Sequence, residues 1–179
     1  MTASSEVDGR ARRVRLVVLD ADGVMTDGRI TVFADGNESR NFFSRDGLAV
    51  KIGQRAGLRF AVISGRTSKV VDARARELGF VECLQGIHDK GATLRELAAR
   101  QNVALDEVAF VGDDLVDLPA MRLSGFAAAP ADADAEARAA AHWVTPSPGG
   151  RGAVRDFVEL VLRAQGTWER ITAAYHGRD

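Results

Sequence analysis

The feature of this sequence that most limits its fold is a short apolar run that recurs along the chain, each time followed by a Gly or Asp turn and a helix-type segment. The strongest runs are almost continuously apolar, as expected for strands covered on both faces. Alternation of such strands with helices is typical of parallel sheets. The pattern predicts an α/β fold, with a doubly wound, Rossmann-like, mostly parallel sheet and helices on both faces. We expect strands at 14–19, 59–63, 81–84, 108–111, 126–128 and 142–144, and helices at 47–56, 68–78, 90–100, 115–123, 133–140 and 153–165.

One segment breaks the alternation. Residues 29–44 contain two strand-type runs around Asp35-Gly36, a dipeptide favoured in hairpin turns. We therefore expect a β-hairpin inserted after the first strand, within a single domain that spans 14–166. Residues 1–13 are expected to form an N-terminal tail, and residues 167–179 a C-terminal extension. The hairpin is too short to cover a site by itself, so we expect a partner subunit to supply the missing wall.

The charge balance and the single cysteine exclude several classes of protein. Lys and Arg number 24 against 25 Asp and Glu, which leaves a formal net charge of −1, whereas nucleic-acid binding usually needs a concentrated basic face. No apolar run approaches the roughly 18 residues of a membrane span, and no export segment is recognisable. Cys83 is alone, so no disulfide can form within the chain. We expect a cytoplasmic protein with no nucleic-acid or membrane partner.

Polar groups follow four successive predicted strands. Each group alone is weak evidence, because Asp and Ser often cap helices and Asp-Gly often makes turns. In open parallel sheets, however, ligands bind beyond the carboxyl ends of the strands, and these ends meet at one edge. Their joint occurrence predicts a catalytic site. The groups are Asp20 and Asp22 after the first strand, Ser64 after the second, Lys90 beyond the third, and Asp113, Asp114 and Asp117 after the fourth.

Three of these carboxylates indicate a metal ion. Asp20 and Asp22 are two residues apart at a strand end, and with Asp113 they would repel one another unless a cation neutralised them. Ligands that are all oxygen favour a hard cation, Mg²⁺ first. One such ion and one lysine can hold a phosphate dianion beside a carboxylate, which is the arrangement that phosphoryl transfer requires.

The same residues stand in motifs that resemble those of the haloacid dehalogenase superfamily of phosphatases. Within it, the chain is most similar to the small capless 3-deoxy-D-manno-octulosonate 8-phosphate phosphatases, over about residues 14–166. The matching stretches are Asp20-Ala21-Asp22-Gly23-Val24-Met25-Thr26-Asp27-Gly28, Arg45-Asp46-Gly47-Leu48, Ser64-Gly65-Arg66-Thr67-Ser68-Lys69, Gly112-Asp113-Asp114-Leu115-Val116-Asp117-Leu118-Pro119 and Gly149-Gly150-Arg151-Gly152-Ala153-Val154-Arg155.

Carried over to these positions, the resemblance implies an aspartyl-phosphate mechanism. Asp20 would be the nucleophile, and Asp22 would act first as general acid and then as general base. Asp20, the backbone carbonyl of Asp22 and Asp113 would hold Mg²⁺. Ser64 and Lys90 would bind phosphate oxygens. The resemblance also implies a homotetramer assembled through the hairpin.

The resemblance further implies a phosphorylated sugar acid as substrate, most specifically 3-deoxy-D-manno-octulosonate 8-phosphate. Arginine is the natural partner of its planar carboxylate. Arg66 and Arg74 are eight residues apart, so we expect them to face the same side of the helix that begins near Ser68. The other predicted substrate-binding residues are Arg45, Asp46, Gly47, Lys51 and Asp114.

Three alternatives remain open from the sequence. The first is a phosphatase for another sugar phosphate, such as a nonulosonate 9-phosphate, because Ser44 and Lys51 depart from residues that relatives often carry. The second is a signalling receiver domain, although receivers place the acceptor Asp on a middle strand and the Lys after the last. The third is an accessory subunit that keeps the fold without turnover.

Overall fold

The structure is a computed structural model that describes residues 5–176. The strands in this range are β1 (Leu16–Leu19), β2 (Thr31–Val32), β3 (Glu38–Ser39), β4 (Arg59–Ile63), β5 (Glu82–Leu84), β6 (Val108–Val111), β7 (Phe126–Ala129) and β8 (Trp143–Val144). The α-helices are α1 (Ser5–Arg13), α2 (Ser44–Arg55), α3 (Lys69–Leu78), α4 (Lys90–Arg100), α5 (Leu118–Leu123), α6 (Ala135–Ala140), α7 (Ala153–Ala164) and α8 (Trp168–Ala173). None of these helices has the length and apolar character needed to cross a lipid bilayer.

Six strands form one sheet in the order β5-β4-β1-β6-β7-β8, and every pair in it is parallel. β1 is central, with Leu16 level with Arg59 of β4 on one side and with Val108 of β6 on the other. The chain leaves β1 toward one edge of the sheet and later returns to the other side of β1. Such a reversal opens a crevice beyond the carboxyl ends of the central strands, where ligands bind. The predicted fold class is confirmed.

The core consists of two apolar layers, one on each face of the sheet. Val17 and Leu19 of β1 pack toward the layer formed with α1, α2, α3 and α7, whereas Leu16 and Val18 pack toward α4, α5 and α6. All four side chains are fully buried. Burial on both faces explains why this strand is apolar at every position instead of alternating.

The inserted hairpin is present, and each of its strands has two residues. β2 and β3 pair antiparallel, and the N–H of Phe33 donates to the carbonyl of Asn37 at 2.8 Å. This bond closes a three-residue loop in which Gly36 has φ of +83°, a conformation that favours glycine. An isolated antiparallel bridge between Thr26 and Phe42 ties the base of the hairpin to the loop that follows β1.

Part of the predicted N-terminal tail is helical and packs on the domain. Residues 5–13 form helix α1, and Val7 and Ala11 are buried in the layer that also contains α7. The sequence obscured this helix because only two of its nine positions are buried and most others are charged. The first four residues of the predicted tail lie outside the described residues.

The predicted C-terminal extension contacts the body through Trp168 and Tyr175, and residues 177–179 lie outside the described residues. Trp168 is 7% exposed. The guanidinium carbons of Arg155 and Arg163 lie 4.9 and 5.3 Å from centroids of its indole. Cation–π contacts to these two residues of α7 therefore fasten α8 to the domain.

Candidate active site

The predicted catalytic groups gather at the carboxyl edge of the sheet. β4, β1 and β6 are neighbours, and Ser64, Asp20 and Asp113 follow them within two residues. Lys90 is the first residue of α4, and its Nζ lies 2.6 Å from Asp20 Oδ1. Oxygens of Asp20, Asp113 and Asp117 lie within 4.8 Å of one another. Residues from three distant parts of the sequence thus form one cluster, and Ser64 follows the neighbouring strand at the same edge of the sheet.

Lys90 is a buried cation held between two carboxylates. Its side chain is 2% exposed, and Nζ donates to Asp20 at 2.6 Å and to Asp117 Oδ1 at 2.5 Å. The other oxygen of Asp117 accepts the backbone N–H groups of Asp113 and Asp114 at 2.9 and 3.2 Å. Asp117 therefore orients both Lys90 and the turn that carries Asp113.

Burial and crowding shift the pKa values of this cluster. Burial and then the charge of Asp117 raise the pKa of Asp20 from 3.8 to about 6, although Lys90 opposes the shift. Burial raises the pKa of Asp113 to about 8, and Asp20 and Asp117 add to the effect. Burial disfavours the charge of Lys90, but Asp20 and Asp117 outweigh it and raise the pKa of Lys90 above its ordinary value. One buried cation does not balance the charge of three carboxylates, so a second cation bound among them would be stabilised.

The loop after Asp20 turns sharply at Asp22 and Gly23. Asp22 has φ −85° and ψ 113°, and Gly23 has φ of +100°. The carboxylate of Asp113 occupies the space where a Cβ of residue 23 would stand. Glycine is therefore required twice over at this position, for its positive φ and for the close approach of Asp113. Beyond the turn, the Asp22 side chain contacts Arg40, whose Nε donates to Asp22 Oδ1 at 2.6 Å.

A second glycine-containing loop lies against the first. Gly149 packs so closely on Gly23 that a Cβ at residue 149 would overlap the carbonyl oxygen of Gly23. The N–H of Gly150 donates to the carbonyl of Val24 at 3.0 Å, and the N–H of Gly149 donates to Asp132 Oδ1 at 2.8 Å. The loop after β8 therefore supports the backbone that carries Asp22.

We expect Gly149→Ala to reduce turnover strongly by pushing this loop away. The new methyl group cannot fit against the Gly23 carbonyl, so Asp22 must shift, and a displacement of about 1 Å in a reacting group can cost about 100-fold in rate. Gly9→Ala in α1 is the matched control, because no atom lies within 4 Å of its Cβ position. Phosphate release by both variants, with their melting temperatures, checks the prediction. Equal turnover in the two variants would show that the support is dispensable.

The structure separates the two arginines expected to bind the substrate carboxylate. α3 begins at Lys69, so Arg66 lies in the loop before it and does not share a helix face with Arg74. The side chain of Arg66 is 62% exposed, and its Nε lies 4.0 Å from Asp22 Oδ2. Arg74 instead stacks over the ring of Phe42 and pairs with Glu77. Its contacts are those of a packing residue, so they lend no support to a substrate role.

Two further predicted substrate-binding residues make structural contacts. Asp46 is buried, and its carboxylate accepts the N–H groups of Gly152 at 3.2 Å and Arg155 at 2.9 Å. It therefore caps the start of α7 from a distance of more than 100 residues in sequence. Burial raises the pKa of Asp46 to about 6, against the pull of these two donors. Lys51 donates to the carbonyls of Glu77 and Leu78 at the end of α3.

The remaining predicted substrate-binding residues are divided between surface and packing positions. Arg45 is exposed and lies over the ring of Phe43. Asp114 is exposed, and its carboxylate accepts the N–H of Leu115 at 2.7 Å. Gly47 leaves the space into which the guanidinium of Arg74 packs. Among residues 5–176, the predicted set thus contributes Arg66 and the exposed Arg45 and Asp114 as side chains available to a ligand.

Arg40 is the main site residue that sequence analysis missed. It follows β3, stands in no motif, and looks like an ordinary hairpin cation. Its side chain is nevertheless fully buried against Asp22. One signal in the sequence was its position in the hairpin segment, which interrupts the alternation of strands and helices and lies 18 residues after Asp22. That position does not show which residue Arg40 contacts.

The chain is similar to known hydrolases over its whole domain. A model of the haloacid dehalogenase-like hydrolase family matches residues 63–157. The 3-deoxy-D-manno-octulosonate 8-phosphate phosphatase of Yersinia pestis is 39% identical over 169 residues, which cover 94% of this chain and 90% of that protein. The enzyme of the same name from Escherichia coli strain K12 is 39% identical over 163 residues, which cover 91% of this chain and 87% of the relative.

Solved structures agree with these relatives. The 3-deoxy-D-manno-octulosonate 8-phosphate phosphatase of Moraxella catarrhalis, crystallised with a magnesium ion, a phosphate ion and a KDO molecule, superposes with a TM-score of 0.94 at 35% identity. The match covers 97% of this chain and 99% of that one. The cobalt-bound deoxy-D-mannose-octulosonate 8-phosphate phosphatase of Haemophilus influenzae gives a TM-score of 0.90 at 33% identity, covering 95% and 99%.

Proposed function

The chain belongs to the haloacid dehalogenase-like hydrolases and is a phosphatase, and from this membership we propose that it hydrolyses 3-deoxy-D-manno-octulosonate 8-phosphate to the free sugar acid and phosphate. The observation that carries the proposal is the buried cluster of Asp20, Lys90 and Asp113 at the ends of adjacent strands. The named relatives act on this substrate, and they align with nearly the entire chain.

The donor set of the cluster fits a magnesium ion. Its free ligands are carboxylate oxygens, and no His or Cys lies among the clustered groups in residues 5–176. Asp117 uses one oxygen on Lys90 and the other on two backbone N–H groups. Asp113 has no lysine or arginine within ion-pair distance among the described residues. We therefore propose Asp20, the carbonyl of Asp22 and Asp113 as the protein ligands.

The ion, when bound, supplies positive charge to the phosphoryl oxygens. Ser64, which is 3% exposed at the end of β4, and Lys90 provide further hydrogen-bond donors for these oxygens. Lys90 also holds one oxygen of Asp20, which leaves the other oxygen oriented for attack. Such positioning and charge stabilisation account for most of the catalysis of phosphoryl transfer.

The reaction then proceeds in two steps on the side chains of this chain. An Asp20 oxygen forms a bond to phosphorus while the bond from phosphorus to the sugar oxygen breaks, and Asp22 donates a proton to the leaving alkoxide. In the second step, water attacks phosphorus, Asp22 takes a proton from that water, and the bond between Asp20 and phosphorus breaks. The products are the sugar acid, phosphate and the original enzyme.

A substrate panel tests the proposed substrate. We expect kcat/KM for 3-deoxy-D-manno-octulosonate 8-phosphate to exceed that for an aldose phosphate by about 100-fold. The aldose phosphate has no carboxylate, so it offers Arg66 no group with which to pair. Arg66→Met should reduce this preference, whereas the same change at Arg45, another exposed arginine, should reduce it less. Removal of Mg²⁺ by a chelator should abolish turnover, and added Mg²⁺ should restore it. Faster hydrolysis of a nonulosonate 9-phosphate, or equal rates without a carboxylate, would overturn the substrate assignment.

We also propose that the chain works as a homotetramer in the cytoplasm. The hairpin exposes Val32 and Phe33, which are 67% and 50% accessible, and this apolar surface supports assembly through the hairpin. The single free cysteine, Cys83, supports a reducing compartment. The mass of the particle in solution, measured by sedimentation, tests the oligomer, and a fully active monomer would contradict it.

A further inference from the structure

We propose that Arg40 is the positioning residue for the acid–base carboxylate of Asp22, and that it ties this carboxylate to the hairpin and to the start of α3. The inference rests on the proposed phosphatase mechanism, because it concerns how Asp22 is held for proton transfer. It adds a residue that lies outside every motif of the sequence.

The contact between the two side chains is a two-pronged ion pair. Arg40 Nε donates to Asp22 Oδ1 at 2.6 Å, and Nη2 donates to Asp22 Oδ2 at 3.2 Å. The arginine side chain is fully buried, and the Asp22 side chain is 16% exposed. A guanidinium that binds both carboxylate oxygens fixes the rotation of the carboxylate as well as its place, which a single point charge does not.

The remaining donors of Arg40 are anchored on other elements. Nη1 donates to Ser68 Oγ at 2.8 Å and lies 2.5 Å from Glu38 Oε1. Glu38 belongs to β3 of the hairpin, and Ser68 caps α3, where its Oγ accepts the N–H of Val71. α3 follows directly on the loop that carries Ser64 and Arg66. Arg40 therefore links the orientation of Asp22 to β3 of the hairpin and to the start of α3.

The other cation near Asp22 is not held in this way. Arg66 Nε lies 4.0 Å from Asp22 Oδ2, and its side chain is 62% exposed. Solvent competes for such a long and exposed pair, so it contributes little to orientation. Arg66 thus remains available to a ligand, while the orientation of Asp22 is set by the buried Arg40.

Proton transfer makes this orientation functional. A general acid is needed most when the leaving group is a poor one, such as a sugar alkoxide, and least when it is a nitrophenolate. If Arg40 acts through Asp22, its loss should therefore harm the two kinds of ester unequally. A residue that only braced the fold would harm them alike.

A double-mutant cycle with two substrates tests the proposal. We expect Arg40→Met to lower kcat/KM for 3-deoxy-D-manno-octulosonate 8-phosphate by about 100-fold and for p-nitrophenyl phosphate by less than about tenfold, since general acid catalysis typically contributes 10²- to 10⁴-fold. In an Asp22→Asn background, the same Arg40→Met change should cost less than about threefold on either ester, because coupled residues are not additive. Arg40→Lys, which keeps the charge but not the two-pronged contact, should recover part of the activity.

Two controls separate the possible failures. Arg100→Met removes an arginine that pairs with Glu82 on the surface, and it should leave both activities unchanged. Melting temperatures show whether each variant folds. Equal losses on both esters, or the same loss with and without the Asp22 carboxylate, would overturn the role of Arg40 while leaving the phosphatase intact. If the wild-type enzyme hydrolyses other alkyl phosphates but not the octulosonate ester, the substrate assignment fails and the cycle is measured on those esters.

Discussion

Asp20→Asn is expected to lower kcat by at least about 10⁴-fold, because the amide oxygen cannot replace the carboxylate that attacks phosphorus. The fold should survive the change. Burial already raises the pKa of Asp20 to about 6, so a neutral side chain removes an unfavourable charge, and Lys90 keeps its contact with Asp117. Phosphate release measured beside an unchanged melting temperature checks both parts of the prediction.

A control variant and a trapping experiment accompany this measurement. Asp8→Asn in α1 makes the same chemical change at a surface ion pair with Arg12 and should keep full activity. Brief incubation with substrate followed by acid quenching should trap phosphate covalently on the wild-type protein and not on Asp20→Asn. Turnover by the variant at a tenth of the normal rate or more would show that another group is the nucleophile.

Lys90→Met should cost about 3–5 kcal/mol of unfolding free energy, the usual effect of removing one partner from a buried ion pair. The variant leaves Asp20, Asp113 and Asp117 together without their internal cation. Mg²⁺ should restore part of this stability, because the ion would then neutralise the carboxylates. Denaturant unfolding with and without Mg²⁺ measures the effect, and kcat should fall by at least about 100-fold when the charge beside the phosphate is lost.

Lys51→Met is the matched control for this change. Lys51 also gives its ammonium to protein oxygens, but they are the two carbonyls at the end of α3, and part of its side chain reaches solvent. Its loss should cost about 1 kcal/mol or less, as is usual for a favourable charge at a helix end. Equal unfolding free energies for the two lysine variants would show that Lys90 does not stabilise the three carboxylates as its burial between them implies.

The sequence was sufficient to predict the sheet and most of the cluster, because both follow from local patterns. A short, continuous apolar run such as 108–111 predicts a buried strand. A parallel sheet then brings the residues that follow its strands to one edge. The family motifs then named Asp20, Ser64, Lys90 and Asp113. The segment at 115–123 was harder, since Asp117 accepts two backbone N–H groups and confines the residues from Leu115 to a separate tight turn before α5.

The side-chain partners could not be predicted, because they depend on contacts between distant residues. Asp46 and Lys51 stand in a segment that matches substrate-binding residues, yet each satisfies the end of a helix. Arg74 carries the charge a carboxylate needs but packs on Phe42. Arg40 shows the reverse, with no motif to mark it and a fully buried contact to Asp22. A sequence pattern indicates which residues lie near a site. It does not indicate which of their polar atoms already form hydrogen bonds or ion pairs within the protein.

The seating of Gly149 on Gly23 has a consequence for how the enzyme is made. The loop that carries Asp22 is synthesised before the backbone that supports it, which lies more than 120 residues later in the chain. The nascent chain therefore contains its nucleophile before it contains the loop that supports Asp22. An unfinished chain that lacks residue 149 has no such support for the loop that carries Asp22.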